Sequence, residues 1–312
     1  MFFIRKQGVC ILAIFVLALP LAAQLTEPSP TPSPTPIEQA IQSTSDAKEI
    51  VSRAVAVDRH NWLLAQKYTW QERLVYKRFD KHGKEKSQEI KTLDTSFFYD
   101  EPYSRVVKID DKPLNEKEER KEEEKQQKFI AKYKDESDDA RQKRVAKYEK
   151  EREEERAFTR DIVNAYDFQM LGADRLEGRD AYVIQAIPRK DFHPTQPHGE
   201  MLSKMQGKLW IDKHSYRCIK LDAEVIDTIS FGLFLARVHK GSHLIVQWTR
   251  VNDEVWLPRH LFLDASARIM LFDNEAFQQE SDFSDFKKFS TDTKILPEMH
   301  EVEPEVSPTP AQ

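Results

Sequence analysis

The feature that most constrains this chain is alternation. From Tyr68 to Lys294, outside one charged interruption, apolar and polar residues take turns in short runs broken by turn residues. Successive side chains on a strand point to opposite faces, so Tyr68, Trp70, Leu74 and Tyr76 share one face, with Thr69, Gln71, Arg73 and Lys77 on the other. The turn Asp80-Lys81-His82-Gly83 leads to a second strand reaching Phe97, Phe98 and Tyr99, and a third covers 105–109. Beyond the interruption, Glu177-Gly178, Lys240-Gly241-Ser242 and Asn252-Asp253 punctuate strands at 181–187, 208–211, 217–226, 233–238, 244–250, 255–263 and 267–272. Parallel neighbours need a crossover of a dozen or more residues, and these connections are shorter. The spacing predicts an α+β fold built on roughly ten antiparallel strands in one large sheet. Curvature that lets a few helices cover one face is expected with it.

The interruption is the segment 115–160. Between Glu116 and Arg156, 29 of 41 residues are charged, 15 acidic and 14 basic. Such balance allows the two signs to pair along helix surfaces. One or two solvated helices are expected here, as a lid or a projecting hairpin, with a partly ordered charged loop as the alternative. Phe158, Ile162, Val163, Tyr166 and Met170 then recur at helical spacing. Another helix is expected to open the domain, with Asp46 and Glu49 as a capping box and Ile50, Val51, Ala54, Val55 and Trp62 as its apolar stripe.

The ends read differently. Arg5 and Lys6 precede an apolar run of 15 residues, 9–23, closing on Leu21-Ala22-Ala23. A spanning helix needs about 20 residues, so residues 1–23 are read as a cleaved signal peptide and the protein as exported to the periplasm. Residues 24–36 are proline-rich, a semi-rigid spacer. Residues 37–294 form the domain, and the acidic, proline-rich 295–312 are read as a disordered tail.

Chemistry is sparse. Cys10 and Cys218 exclude a disulfide scaffold, and eight glycines supply no phosphate-binding loop. A formal charge of −5 offers no basic excess for nucleic acid. His193 and His198 lack a third ligand, and His239 and His243 straddle a tight turn. Carboxylates are so numerous that a pair of them carries no weight as an acid–base site. No catalytic residue, metal or cofactor is assigned, and no enzymatic activity is expected. The strand aromatics are more informative: they either fill a core or line an apolar cavity, and pockets for greasy ligands are largely hydrophobic.

Several phrases carry a family resemblance: Leu176-Glu177-Gly178-Arg179-Asp180-Ala181-Tyr182-Val183-Ile184, Gly207-Lys208-Leu209-Trp210-Ile211-Asp212-Lys213, Arg217-Cys218-Ile219-Lys220-Leu221, and Val255-Trp256-Leu257-Pro258. Over roughly 46–294 the chain resembles the outer-membrane lipoprotein-sorting protein superfamily of LolA, LolB and RseB/MucB. The resemblance implies a strongly curved, incomplete β-barrel with helices on its concave side and an apolar cavity that shelters acyl chains. The charged insertion is a departure from the classical carrier. No family site residue has a match here, so none is carried over. The leading expectation is a periplasmic protein binding a lipid, a lipoprotein or another apolar ligand. Its candidate cavity residues, taken from alternation, are Tyr68, Trp70, Leu74, Tyr76, Ile219, Leu221 and Val225. Membrane contact would be peripheral only. The alternative is an envelope sensor or scaffold with a filled cavity, contacting a protein partner through the charged helices.

Overall fold

Paired turn residues in left-handed backbone close the hairpins. Glu177 and Gly178 have φ of 47° and 80°, Asn252 and Asp253 50° and 55°, and Asp110 and Asp111 51° and 59°. Two successive positive φ values match the twist of antiparallel strands, and Gly, Asn and Asp accept them at least cost. In the loop 80–84 the Asp80 carboxylate accepts from the His82 and Lys84 amides, and Gly83 takes φ 78°.

The computed structural model describes residues 36–65, 67–99, 101–195, 199–231, 236–269 and 275–289. The readings of a signal peptide at 1–23 and a tail at 295–312 lie outside them, as does the spacer at 24–36 except for Pro36, the first residue of a helix. Helix α1 (Pro36–Ala65) is followed by strands β1 (Tyr68–Phe79), β2 (Glu85–Phe98), β3 (Glu101–Ile109) and the two-residue β4 (Lys112–Pro113). Helices α2 (Glu116–Lys134) and α3 (Asp138–Ala165) come next, then β5 (Tyr166–Leu176), β6 (Arg179–Pro188) and a 3-10 helix (Gly199–Lys204). The chain continues through β7 (Met205–Asp212), β8 (Cys218–Val225), β9 (Ile229–Phe231), β10 (Ala236–Val238), β11 (His243–Val251), β12 (Val255–Ile269) and β13 (Glu275–Lys288). All thirteen strands join one open sheet in the order β4-β3-β2-β1-β13-β12-β11-β8-β7-β6-β5, with β10 and β9 added beside β12. Every pairing is antiparallel.

The strand order gives the segment 115–160 a place in the topology. β4 and β5 are consecutive strands, yet they lie at opposite edges of the sheet. α2 and α3 are therefore the obligatory link between the two edges, which explains their length and solvated surface. Asn115 caps α2 in a full capping box with Glu118. Arg144, early in α3, forks onto Glu136 and also bonds Glu101 of β3. At its other end α3 enters β5 directly.

Three expectations change. α1 begins ten residues before Asp46, so Asp46 lies inside a helix instead of capping one. Tyr166 and Met170 belong to β5; helical spacing continued by chance into a strand whose alternation starts at Tyr166. The sheet has thirteen strands where about ten were expected. The short β4 and β9 had no pattern to read, 255–263 and 267–269 belong to one strand, and β13 hid behind a polar composition.

The main core lies between one face of the β5–β8 region and two helices. Ala47, Ile50 and Val51 of α1 and Phe158 and Ala165 of α3 pack with Phe168, Ile184, Ile211 and Val225. The end of α1 joins a second cluster, in which Leu64 and Ala65 meet Tyr68, Val255 and Leu257. On the other face Ala181, Trp210, Ile219 and Trp256 form a third.

Candidate functional site

Paired residues in an antiparallel ladder share a face, so the register traces the inner surface strand by strand. Starting from β1, Leu74 pairs with Ser281, Ser281 with Leu261, Leu261 with Val246, and Val246 with Leu221. The row continues through Leu209 and Ile184 to Met170. Eight strands thus contribute seven apolar residues and one serine to a single line across the sheet. The next row carries Tyr76, Gln279, Leu263, Leu244 and Ala223. Helices touch these rows mainly from β5, β7 and β12. Ile184 is fully buried, whereas Leu209, Leu221, Val246, Leu261 and Leu74 stay half-buried.

Six of the seven cavity candidates lie on this face. β1 alternates without interruption, because the bulge in its pairing with β13 adds its extra residue to β13. Trp70 meets Phe97 edge-on at 6.1 Å, and Tyr76 meets Phe277 at 5.6 Å. Tyr68 is fully buried; its hydroxyl donates to Glu254 Oε1 at 2.6 Å and accepts from Asn252 Nδ2 at 2.9 Å. Val225 belongs to the main core, beneath the helices, while Leu221 stands on the open row. Ile219 is turned the other way. Trp210 pairs with Lys220 and Ile211 with Cys218, so Ile219 is the extra residue of a bulge and packs with Trp210 and Trp256.

Glu72 is the unexpected member of the apolar face. It stands between Trp70 and Leu74 on β1, half-buried, with Leu93 and Phe283 across from it. Burial raises its pKa, and a hydrogen bond with Ser281 partly offsets this. Gln279 donates through Nε2 to Ser281 Oγ at 3.2 Å. Alternation along β1 puts Glu72 on the face of Trp70 and Leu74, although the sequence reading did not name it.

Beside the Trp210–Trp256 cluster, the opposite face carries a polar groove. Gln185, Gln206, Lys208, Asp222, Glu224 and His243 line a groove of about 470 Å³, and His243 Nε2 lies 2.7 Å from Asp222 Oδ1. His243 is thus engaged by that carboxylate. Elsewhere on the sheet, His260, Glu280 and Asp282 bring their ligand atoms within 4.8 Å of one another. His260 Nδ1 is already 2.8 Å from Asp282, and Arg73 pairs in register with that aspartate. Cys218 is a poor nucleophile, its thiol pushed up to about 12 by burial. Among the described residues no helix is long and apolar enough to cross a membrane.

No protein-family model matches the chain, and no curated protein matches it. Solved structures give weak likenesses. The chain is similar to a domain described as an outer membrane lipoprotein-sorting protein from Vibrio parahaemolyticus, at 10% identity and TM-score 0.31, covering 81% of this chain and 94% of that one. It is similar to a LolA superfamily protein from Nitrosomonas europaea at 11% identity and TM-score 0.25, covering 78% and 94%. MucB in the MucA/MucB complex of Pseudomonas aeruginosa gives 10% identity and TM-score 0.22, covering 78% and 99%.

Proposed function

We propose that this chain is an exported, non-enzymatic binding protein that shelters an acyl chain of a lipid, a lipoprotein or a similarly apolar ligand on the inner face of its sheet. One observation carries the reading: an apolar row runs across eight strands, and Leu74, Leu261, Val246, Leu221 and Leu209 along it stay half-buried while Ile184 near its β5 end is buried in the main core. Each methylene moved from water onto such a surface is worth about 0.8 kcal/mol before ordering costs.

Concavity of that face is part of the proposal, and α3 supports it. From Arg144, tied to β3, to Ala165, which abuts β5, the helix spans about 32 Å. A flat sheet would separate those strands by about 43 Å measured straight across, and strand tilt only lengthens the path. The Arg144–Glu101 pair spans part of the difference; bending of the sheet supplies the rest.

The test is native mass spectrometry of protein purified from the cell envelope without detergent, followed by solvent extraction. A stoichiometric added mass that extracts as an acyl species supports the reading. A clean apo mass that stays unchanged when lipids and lipopeptides are titrated in overturns it. The rival, an envelope sensor with a filled cavity that contacts a partner through the charged helices, then leads. The fully buried Tyr68, packed under the end of α1, is the observation in its favour.

A further inference from the structure

Resting on that reading, we propose that Glu72, Ser281 and Gln279 form a head-group subsite at one end of the apolar row, selecting single-chain amphiphiles whose head donates hydrogen bonds (hydroxyl, amide or ammonium) over those ending in a carboxylate or phosphate.

The register locates the subsite. Ser281 stands between Leu74 and Leu261 in the row, is fully buried, and is the one small residue there among larger apolar ones. With Ser281 and Gln279 both buried, the half-buried Glu72 carboxyl is the member of the trio that a ligand can reach. Glu72 lies one step along β1 from Leu74 on the same face, and Gln279 one step along β13 from Ser281. Their bonds run in one direction. The Gln279 amide donates to the Ser281 hydroxyl, which in turn can donate to the Glu72 carboxyl. That carboxyl has several acceptor positions, and a single hydroxyl uses one of them. Among the described residues no basic side chain forms an ion pair with it; Arg73, its neighbour on β1, faces the other way and is forked onto Asp111.

A carboxyl in this setting discriminates by what it lacks. It welcomes a donor, whereas an anionic head would set like charge against it in a partly dehydrated site. From Leu74 to Leu221 the row covers four strand spacings, roughly 19 Å, the length of an extended long acyl chain. Head at Glu72 and tail along Leu74, Leu261, Val246 and Leu221 is therefore a self-consistent pose for one chain.

The experiment compares monopalmitoylglycerol with palmitate on the full-length protein by isothermal titration calorimetry. Glu72→Gln, Glu72→Leu and Ser281→Ala are measured beside wild type, with melting curves to confirm folding. Wild type is expected to prefer monopalmitoylglycerol by about tenfold or more, the scale of one hydrogen bond to a charged group. Glu72→Leu should abolish the preference, and Glu72→Gln, which keeps the shape, should restore much of palmitate's affinity. If both ligands bind wild type equally and the ratio is unmoved in Glu72→Gln, the subsite is wrong while acyl binding stands. If neither binds wild type, the acyl-binding reading fails and the subsite falls with it.

Discussion

Asp212 is 1% exposed, and its carboxylate accepts four hydrogen bonds. Arg179 forks onto its two oxygens at 2.8 and 3.0 Å, and the Ser215 amide and hydroxyl both donate to it at 2.7 Å. Arg179 also lies over the Trp256 ring. Burial alone would raise the pKa of this carboxylate, but the bonds from Arg179 and Ser215 outweigh it and the value is lowered. Asp212→Ala strands a half-buried guanidinium and is expected to cost about 3 kcal/mol, read from urea denaturation at pH 7. A lowered folded pKa means that the contribution is complete above the unfolded value of about 3.9 and is lost as pH falls through the folded one. Wild type should therefore lose stability steeply below pH ~4, and Asp212→Asn should flatten that limb. Glu72 has the opposite sign. Its pKa is raised, so ionisation works against folding and its contribution falls as pH climbs from about 4.3 through the higher folded value. Glu72→Gln should then be no less stable than wild type at pH 7, and a clear loss in a melting experiment would contradict the burial argument. Asp212 was legible in sequence only as part of a Trp-Ile-Asp turn phrase. Its partner Arg179 sits 33 positions away, across a pairing that no local pattern encodes.

Elements succeed or fail by their register. Hairpin turns with Gly or Asn were readable because their backbone needs those residues; Asp110-Asp111 does the same work with less obvious chemistry. The bulge at Ile219 was not readable. Ile219, Leu221, Ala223 and Val225 alternate cleanly along their own strand, and the extra residue shows only against β7. A single added residue turns a side chain to the other face, so one of the seven cavity candidates faces outward. β13 failed for a different reason: its inner positions include Gln279 and Ser281, whose polarity masks the alternation begun by Phe277 and Phe283. The helical link was legible as helix, though not as a bridge between edges. Its docking is concentrated in Arg144, which ties Glu136 and Glu101 together and lies over the Tyr133 ring. Nearby, Phe129 stacks on Tyr103 at 4.8 Å. Arg144→Ala should leave the global melting midpoint nearly unchanged while speeding amide exchange in α2 and the first turns of α3 by about tenfold. Uniform exchange changes throughout the sheet would argue that the link is integral to the core.

At the scale of the whole molecule, the meander β1–β4 meets the rest of the sheet through β13, some two hundred positions later in the chain. Such a closing pair is costly in loop entropy and should form late. Truncation after Ile269, which removes β13, is expected to strip protection from β1–β3 amides while β5–β8 keep theirs beneath α1 and α3. Hydrogen exchange by mass spectrometry reads this directly; equal loss in both regions would show a single cooperative unit. The order of strands was beyond the sequence because distant pairings leave no periodic mark.

An open antiparallel sheet has two bare edges, and bare edges are templates on which further copies add. Here the chain carries its own defence against fibre growth. Along β3 the Val106 amide already donates to the buried Glu122 of α2, and Arg105 is bound by Glu119. At the far edge, α3 runs straight into β5 and lies against it. Residues 116–156 of the link between the edges carry 29 charges among 41 positions. An incoming strand would have to displace these α2 contacts before it reached a free backbone group along β3.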